Sequence, residues 1–170
     1  MVKLFRCEIC GDPYIGESAP DNCPFCGAHK EYVKDIKEAE VNFNLELNDT
    51  DKANAEYALK VEISNAAFYA CASNNSEDEH GRLLFKALAK VEAEHASIWK
   101  KILKLDSIPA GDDTCSDTNS KNLEESHARE TKAIQFYGKA ANEAENARIK
   151  QIFLALVEIE KDHLVFSENS

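Results

Sequence analysis

The feature that most narrows the fold is an internal repeat. Residues 68 apart match without a gap from position 49 to position 163. Asp49-Thr50 recurs as Asp117-Thr118, Asn54 and Glu56 as Asn122 and Glu124, and Glu62 as Glu130. Phe68-Tyr69 recurs as Phe136-Tyr137, and Phe85, Ala87 and Leu88 as Phe153, Ala155 and Leu156. Glu92 and His95 recur as Glu160 and His163. Chance matches do not hold register across two helices and a loop. The pattern predicts a duplicated helical hairpin, and two such hairpins make a four-helix bundle.

Helical periodicity places the segments at about 51–75, 80–105, 118–145 and 147–167. "NSEDEHG", "DSIPAGDDTCSDT" and Glu145-Asn146 break them. Asp49-Thr50 and Asp117-Thr118 would be equivalent capping regions of the first and third segments. The second segment carries one apolar stripe, Phe85, Leu88, Glu92, His95, Trp99, Ile102. The others give Ala55, Leu59, Glu62, Ala66, Tyr69; Leu123, His127, Glu130, Ile134, Tyr137; and Phe153, Leu156, Glu160, His163. Each helix therefore aims a glutamate inward at one level, and two helices add a histidine one turn on.

Burying four carboxylates together costs several kcal/mol per ion, and like charges so close repel. One inward glutamate can turn to solvent; a two-fold set cannot. Two divalent cations would offset the charge and accept both imidazoles, and carboxylate with imidazole suits iron or manganese. The proposed ligands are Glu62, Glu92 and His95 from one half and Glu130, Glu160 and His163 from the other. Glu92 and Glu160 would bridge. This ligand pattern is that of ferritin-like di-iron and di-manganese proteins. Tyr69 and Tyr137 lie two turns from Glu62 and Glu130, where their hydroxyls could steady a ligand carboxylate of a neighbouring helix or simply be core tyrosines. His127, whose repeat mate is Leu59, reads as a core or bundle-end histidine.

Residues 1–36 differ in kind. They are rich in Cys, Gly and Pro and hold Cys7-x-x-Cys10 and Cys23-x-x-Cys26. Two such knuckles make a tetrahedral thiolate site, which zinc or a single iron would fit. Residues 37–50 alternate Val41, Phe43, Leu45 and Leu47 with polar neighbours, an extended linker with one apolar side. The expected units are 1–36, 37–50 and 51–170. Net charge is −11, which argues against nucleic acid or an anionic membrane as partner. The start shows no leader-like apolar run, so a cytoplasmic setting with reduced thiols is expected. Cys71 and Cys115 then read as a small packing residue and an exposed loop thiol.

Residues 1–36 resemble rubredoxin through "CEICG", Tyr14, "AP" and "CPFCGA". Residues 51–167 resemble the bundle of rubrerythrins through Glu62, "EAEH", Glu130 and "EKDH". The cysteine unit comes first, as in the form called reverse rubrerythrin. The resemblance implies a mainly α protein: a ferritin-like four-helix bundle with a small rubredoxin-like domain. It implies two Fe in the carboxylate/His site and Fe rather than Zn at the cysteines. It further implies a peroxidase that reduces hydrogen peroxide to water in defence against oxidative stress, homodimers that sometimes exchange helices, and an external rubredoxin or NAD(P)H reductase as electron donor. The linker would hold the cysteine unit against a partner's bundle.

There is one departure. Rubrerythrins typically carry an extra ligand glutamate three residues after the first glutamate of the third helix; Ala133 stands there, and Asn65 at the matching place on the first helix. That leaves six ligands, closer to bacterioferritin, and keeps two alternatives open. One is a di-iron oxidase that reduces dioxygen. The other is a non-catalytic iron-binding protein with a structural zinc ribbon.

Overall fold

The computed structural model describes residues 1–168; positions 169 and 170, at the end of the expected bundle unit, lie outside the described residues. The N-terminal unit is a three-stranded antiparallel sheet of order β2-β1-β3, with β1 Lys3–Cys7, β2 Pro13–Gly16 and β3 Val33–Asp35. Its core is small: Phe5, Ile9, Ala28 and Val33 pack around the four cysteines. So small a core needs a staple, such as a bound metal or packing against a neighbour, and it is continuous with the core of the bundle.

Four helices follow, α1 Asp49–Asn74, α2 Glu79–Leu103, α3 Asn119–Glu143 and α4 Ala147–Glu168. α1 pairs with α2, α3 pairs with α4, and α1 lies beside α3. One chain thus closes the bundle. α2 starts cleanly because Asp78 accepts from the Gly81 amide at 2.7 Å, and it ends at Lys104 in the left-handed conformation. The two expected capping regions are not equivalent. Asn48 caps α1 by accepting from the Asp51 amide. Thr118 precedes α3 without a side-chain cap bond, and Glu77 instead accepts from the Asn119 amide at 2.9 Å.

The inner stripe of α2 is buried throughout, as is Glu160 with Phe153 and Leu156 on α4. On α1 the expected stripe is buried at Ala55, Leu59, Glu62 and Tyr69 and departs only at Ala66, whereas on α3 the inner face is rotated from that expected, with Leu123 and Ile134 only partly buried. Asn65, not Ala66, is buried on α1, and Ser126 and Ala133 are buried on α3. His127 is exposed and pairs with Glu168 at 3.8 Å. The polar residues Asn65 and Ser126 go inside because each has a partner there: Glu92 for Asn65 and Tyr69 for Ser126.

Cys71 and Cys115 are not isolated thiols. They form a disulfide, with Cα atoms 5.8 Å apart and a sequence separation of 44. The crossover from α2 to α3 folds back along α1, where a Cβ on Gly111 would meet the Ile63 carbonyl at 2.7 Å. That close path brings Cys115 to α1.

Residues 39–48 run without regular structure, and their apolar side packs inward. The Phe43 ring lies against Gly11 of the first knuckle, with the Lys101 ammonium 5.4 Å and the Arg148 guanidinium 5.9 Å from its centroid. The linker therefore fastens the N-terminal unit to the bundle of its own chain.

Candidate metal centres

Each cysteine knuckle is a turn closed by glycine. The Gly11 amide donates to the Cys7 carbonyl and the Gly27 amide to the Cys23 carbonyl, each at 2.9 Å. Both glycines have positive φ, +86° and +79°, a conformation that costs other residues about 1–2 kcal/mol. All four sulfurs are buried. Cys7 Sγ and Cys26 Sγ are 3.7 Å apart, and Cys10 Sγ and Cys23 Sγ 3.8 Å. A tetrahedron with metal–sulfur bonds of ~2.3 Å has edges of ~3.8 Å, so these sulfurs already stand at the vertices such an ion requires.

The second cluster lies inside the bundle. Glu62, Glu92, His95 and Glu160 offer ligand atoms within 4.8 Å of one another, and so do Glu92, Glu130, Glu160 and His163. Glu92 and Glu160 belong to both sets, so the six residues form two adjoining positions that share two carboxylates. His95 Nδ1 lies 3.5 Å from both Glu62 and Glu160. His163 Nδ1 lies 3.2 Å from Glu92 and 3.0 Å from Glu160. The two imidazoles stack 17° from parallel, with centroids 6.1 Å apart.

The remaining atoms around this site are accounted for. Tyr69 donates to Glu130 and Tyr137 donates to Glu62, each across from one hairpin to the other. Burial first, then the facing carboxylates, push both tyrosines well above their usual acidity range, so they remain donors. His95 Nε2 donates to the Cys26 carbonyl at 2.9 Å, which leaves its Nδ1 lone pair turned to the carboxylates. Among the described residues, one oxygen on each of Glu62, Glu92, Glu130 and Glu160, and Nδ1 of His95, are buried without a hydrogen-bond partner. Buried polar atoms are nearly always satisfied. Five orphans converging on one place fit cations held between them, and the O/N donor set fits iron.

Protonation tells the same story. Burial pushes Glu62 and Glu130 well above the carboxylate range. Burial also raises Glu160, but the neighbouring His163 and His95 outweigh it and hold that carboxyl low. Burial alone would lower the histidines; the carboxylates reverse this and lift His163 to about 10 and His95 well above its usual value. Without metal, shared protons balance the charge.

Residues 5–34 match the rubrerythrin rubredoxin-like domain family. Reverse rubrerythrin-1 of Clostridium acetobutylicum is 30% identical over 114 residues, 60% of this chain and 62% of that protein. The matched residues 5–34 lie ahead of the four helices, the order that the resemblance leads one to expect. The chain spans less than two thirds of the length of that relative. No solved structure matches the chain. No described helix is long and apolar enough to cross a membrane.

The sequence drew attention to Asn65 only as the counterpart of Ala133, and to Ser126 not at all, because both are polar residues beside, rather than on, the expected stripes. Their signal was available: each lies three or four residues from a residue of the cluster, on the same helical face.

Proposed function

We propose that the chain is a non-haem di-iron peroxidase that reduces hydrogen peroxide to water, drawing electrons through its cysteine centre. Glu62, Glu92, His95, Glu130, Glu160 and His163 would hold two irons, and Cys7, Cys10, Cys23 and Cys26 a third. Iron bound at these places would supply and recover electrons one at a time. The observation that carries the reading is the hydrogen bond from His95 Nε2 to the Cys26 carbonyl. It joins a ligand of one centre to a ligand of the other through one short contact, so an electron need not cross solvent. An external reductase would refill the cysteine centre.

The chain's own residues prepare the site. Tyr69 and Tyr137 hold Glu130 and Glu62 by their hydroxyls and keep protons close to the carboxylates. Phe85 and Phe153, both fully buried, pack against the Tyr69 and Tyr137 rings, and Trp99 packs on Phe153. A cleft of about 360 Å³ between α1 and α3 includes Asn65 and Ala133 in its lining.

Iron-loaded protein with a rubredoxin reductase and NAD(P)H is expected to consume peroxide. A Glu92→Ala, Glu160→Ala variant that turns over as fast as the parent would refute the reading. One observation favours a second reading, dioxygen reduction: Ala133 brings no seventh carboxylate to the site. Comparing the first turnover with peroxide and with dioxygen separates the two. A colourless protein with one zinc per chain would favour the ribbon instead.

A further inference from the structure

The two halves of the bundle site are near copies, and one buried polar residue breaks the match. Asn65 on α1 is 3% exposed, and its repeat mate on α3 is Ala133, 2% exposed. Asn65 Nδ2 donates to Glu92 Oε2 at 3.4 Å, and its Oδ1 accepts from Arg129 Nη1 at 3.4 Å. Guanidinium only donates, so the amide oxygen must face Arg129 and the amide nitrogen must face Glu92. Arg129 thus sets the sense of the amide.

Arg129 is itself fixed on every side. Its Nη1 donates to Ser64 at 3.1 Å, its Nη2 meets Asp113 at 3.0 Å and its Nε donates to Glu125 at 2.8 Å. Its plane covers the Phe68 ring at 4.3 Å. Ser64 donates to Asp113 at 2.7 Å, and two residues further Cys115 is bonded to Cys71. A string of polar contacts runs from the tethered crossover to one ligand carboxylate. The other half has nothing comparable: Arg129 is matched by Val61 and Ser64 by Lys132.

The consequence falls on Glu92. Its Oε2 takes the Asn65 amide and its Oε1 alone faces His163. Glu160 has no such donor, and its two oxygens face His95 and His163. We infer that Asn65, oriented by Arg129, is a positioning residue that holds Glu92 in one orientation, so that the two metal positions are inequivalent, with Glu92 held from outside the ligand set and Glu160 held only by the two ligand histidines. This rests on the dinuclear reading given above.

The test is anaerobic titration of the metal-free full chain with Co2+, followed by visible absorption and paired with thermal melts of the metal-free form. The parent is expected to take Co2+ at the thiolates and at two bundle positions. Asn65→Leu is expected to weaken one bundle position about 10–100-fold, to shift its ligand-field band and to leave the other within about threefold. Arg129→Gln, at a partly exposed residue outside the site, is expected to act in the same direction by freeing the amide to flip. A purely structural contact would change the melt and leave the bands alone. Parental affinities and bands in both variants would overturn the inference, as would equal weakening of both positions. Parental Co2+ bound at the thiolates alone would sink the dinuclear reading itself.

Discussion

At the scale of single residues, the tyrosines show how the site is held. Tyr137 supplies the hydroxyl bonded to Glu62, and the other Glu62 oxygen has no hydrogen-bond partner and faces His95 Nδ1 at 3.5 Å. Tyr137→Phe leaves that buried carboxylate without its donor and is expected to lower metal affinity about 10–100-fold. Tyr69→Phe should match it through Glu130, and anaerobic Fe2+ titration of both variants checks this; affinities equal to the parent's would contradict it. The buried protons make a second prediction. Glu62, Glu130, His95 and His163 all have raised folded-state values, His163 to about 10. Each favours folding most when protonated in both states, and that contribution fades as pH rises toward the folded value. Glu160, held low, contributes fully above the ordinary carboxylate range and so stays constant above pH ~5. The metal-free chain should therefore lose stability between pH ~5 and ~10. Metal must displace the same protons, so affinity should rise with pH. Denaturant titrations with and without metal should give opposite slopes; parallel slopes would refute the assignment.

At the scale of elements, the helices and the ligand level were legible because a stripe repeats every three or four residues and the duplication doubles the signal. Glu92 with His95 and Glu160 with His163 needed only spacing. The inner faces of α1 and α3 were harder. Their small residues Ala66, Ala67 and Ala133 give periodicity little contrast, so apolar patterning alone did not mark Asn65 and Ser126 as buried; only their spacing from Glu62 and Glu130 does. The disulfide was not legible at all, since the path of a long crossover is set by packing such as Gly111 on α1. Its effect is nonetheless calculable. Closing a loop with a sequence separation of 44 restricts the unfolded chain and contributes about 2–4 kcal/mol. Cys71→Ser is expected to lower unfolding free energy by about that amount, and thiol reductant should do the same to the parent and nothing to the variant. Equal stability of all forms by denaturant melts would show the crossover is held by Asp113 and Arg129 instead.

At the scale of the whole molecule, the question is what keeps two small units in register. The N-terminal unit touches the bundle through few groups. Arg148 donates to the Glu8 carbonyl, Lys101 donates to the Cys10 carbonyl at 2.8 Å, and His29 meets Asp162 at 2.7 Å. His29 is a third exposed, and such a pair adds little in water. Shape then matters more than charge. A Cβ at Gly27 would approach Ile159 Cγ2 at 3.2 Å, and its φ of +79° disfavours a side chain. Cys26, whose carbonyl meets His95, is the preceding residue. Gly27→Ala is therefore expected to strain the knuckle by about 1–2 kcal/mol and to push the unit off α4. Phe43→Ala separates the two effects, because it removes the apolar anchor of the linker and leaves both sets of ligands intact. Both variants should keep the cysteine-bound metal yet be cut faster by protease between residues 39 and 48. Electron passage from the cysteine centre to the bundle, followed by stopped-flow absorption, should slow in both. If cleavage and electron passage both stayed at parental rates, the Cys26–His95 contact would not be the junction between the units.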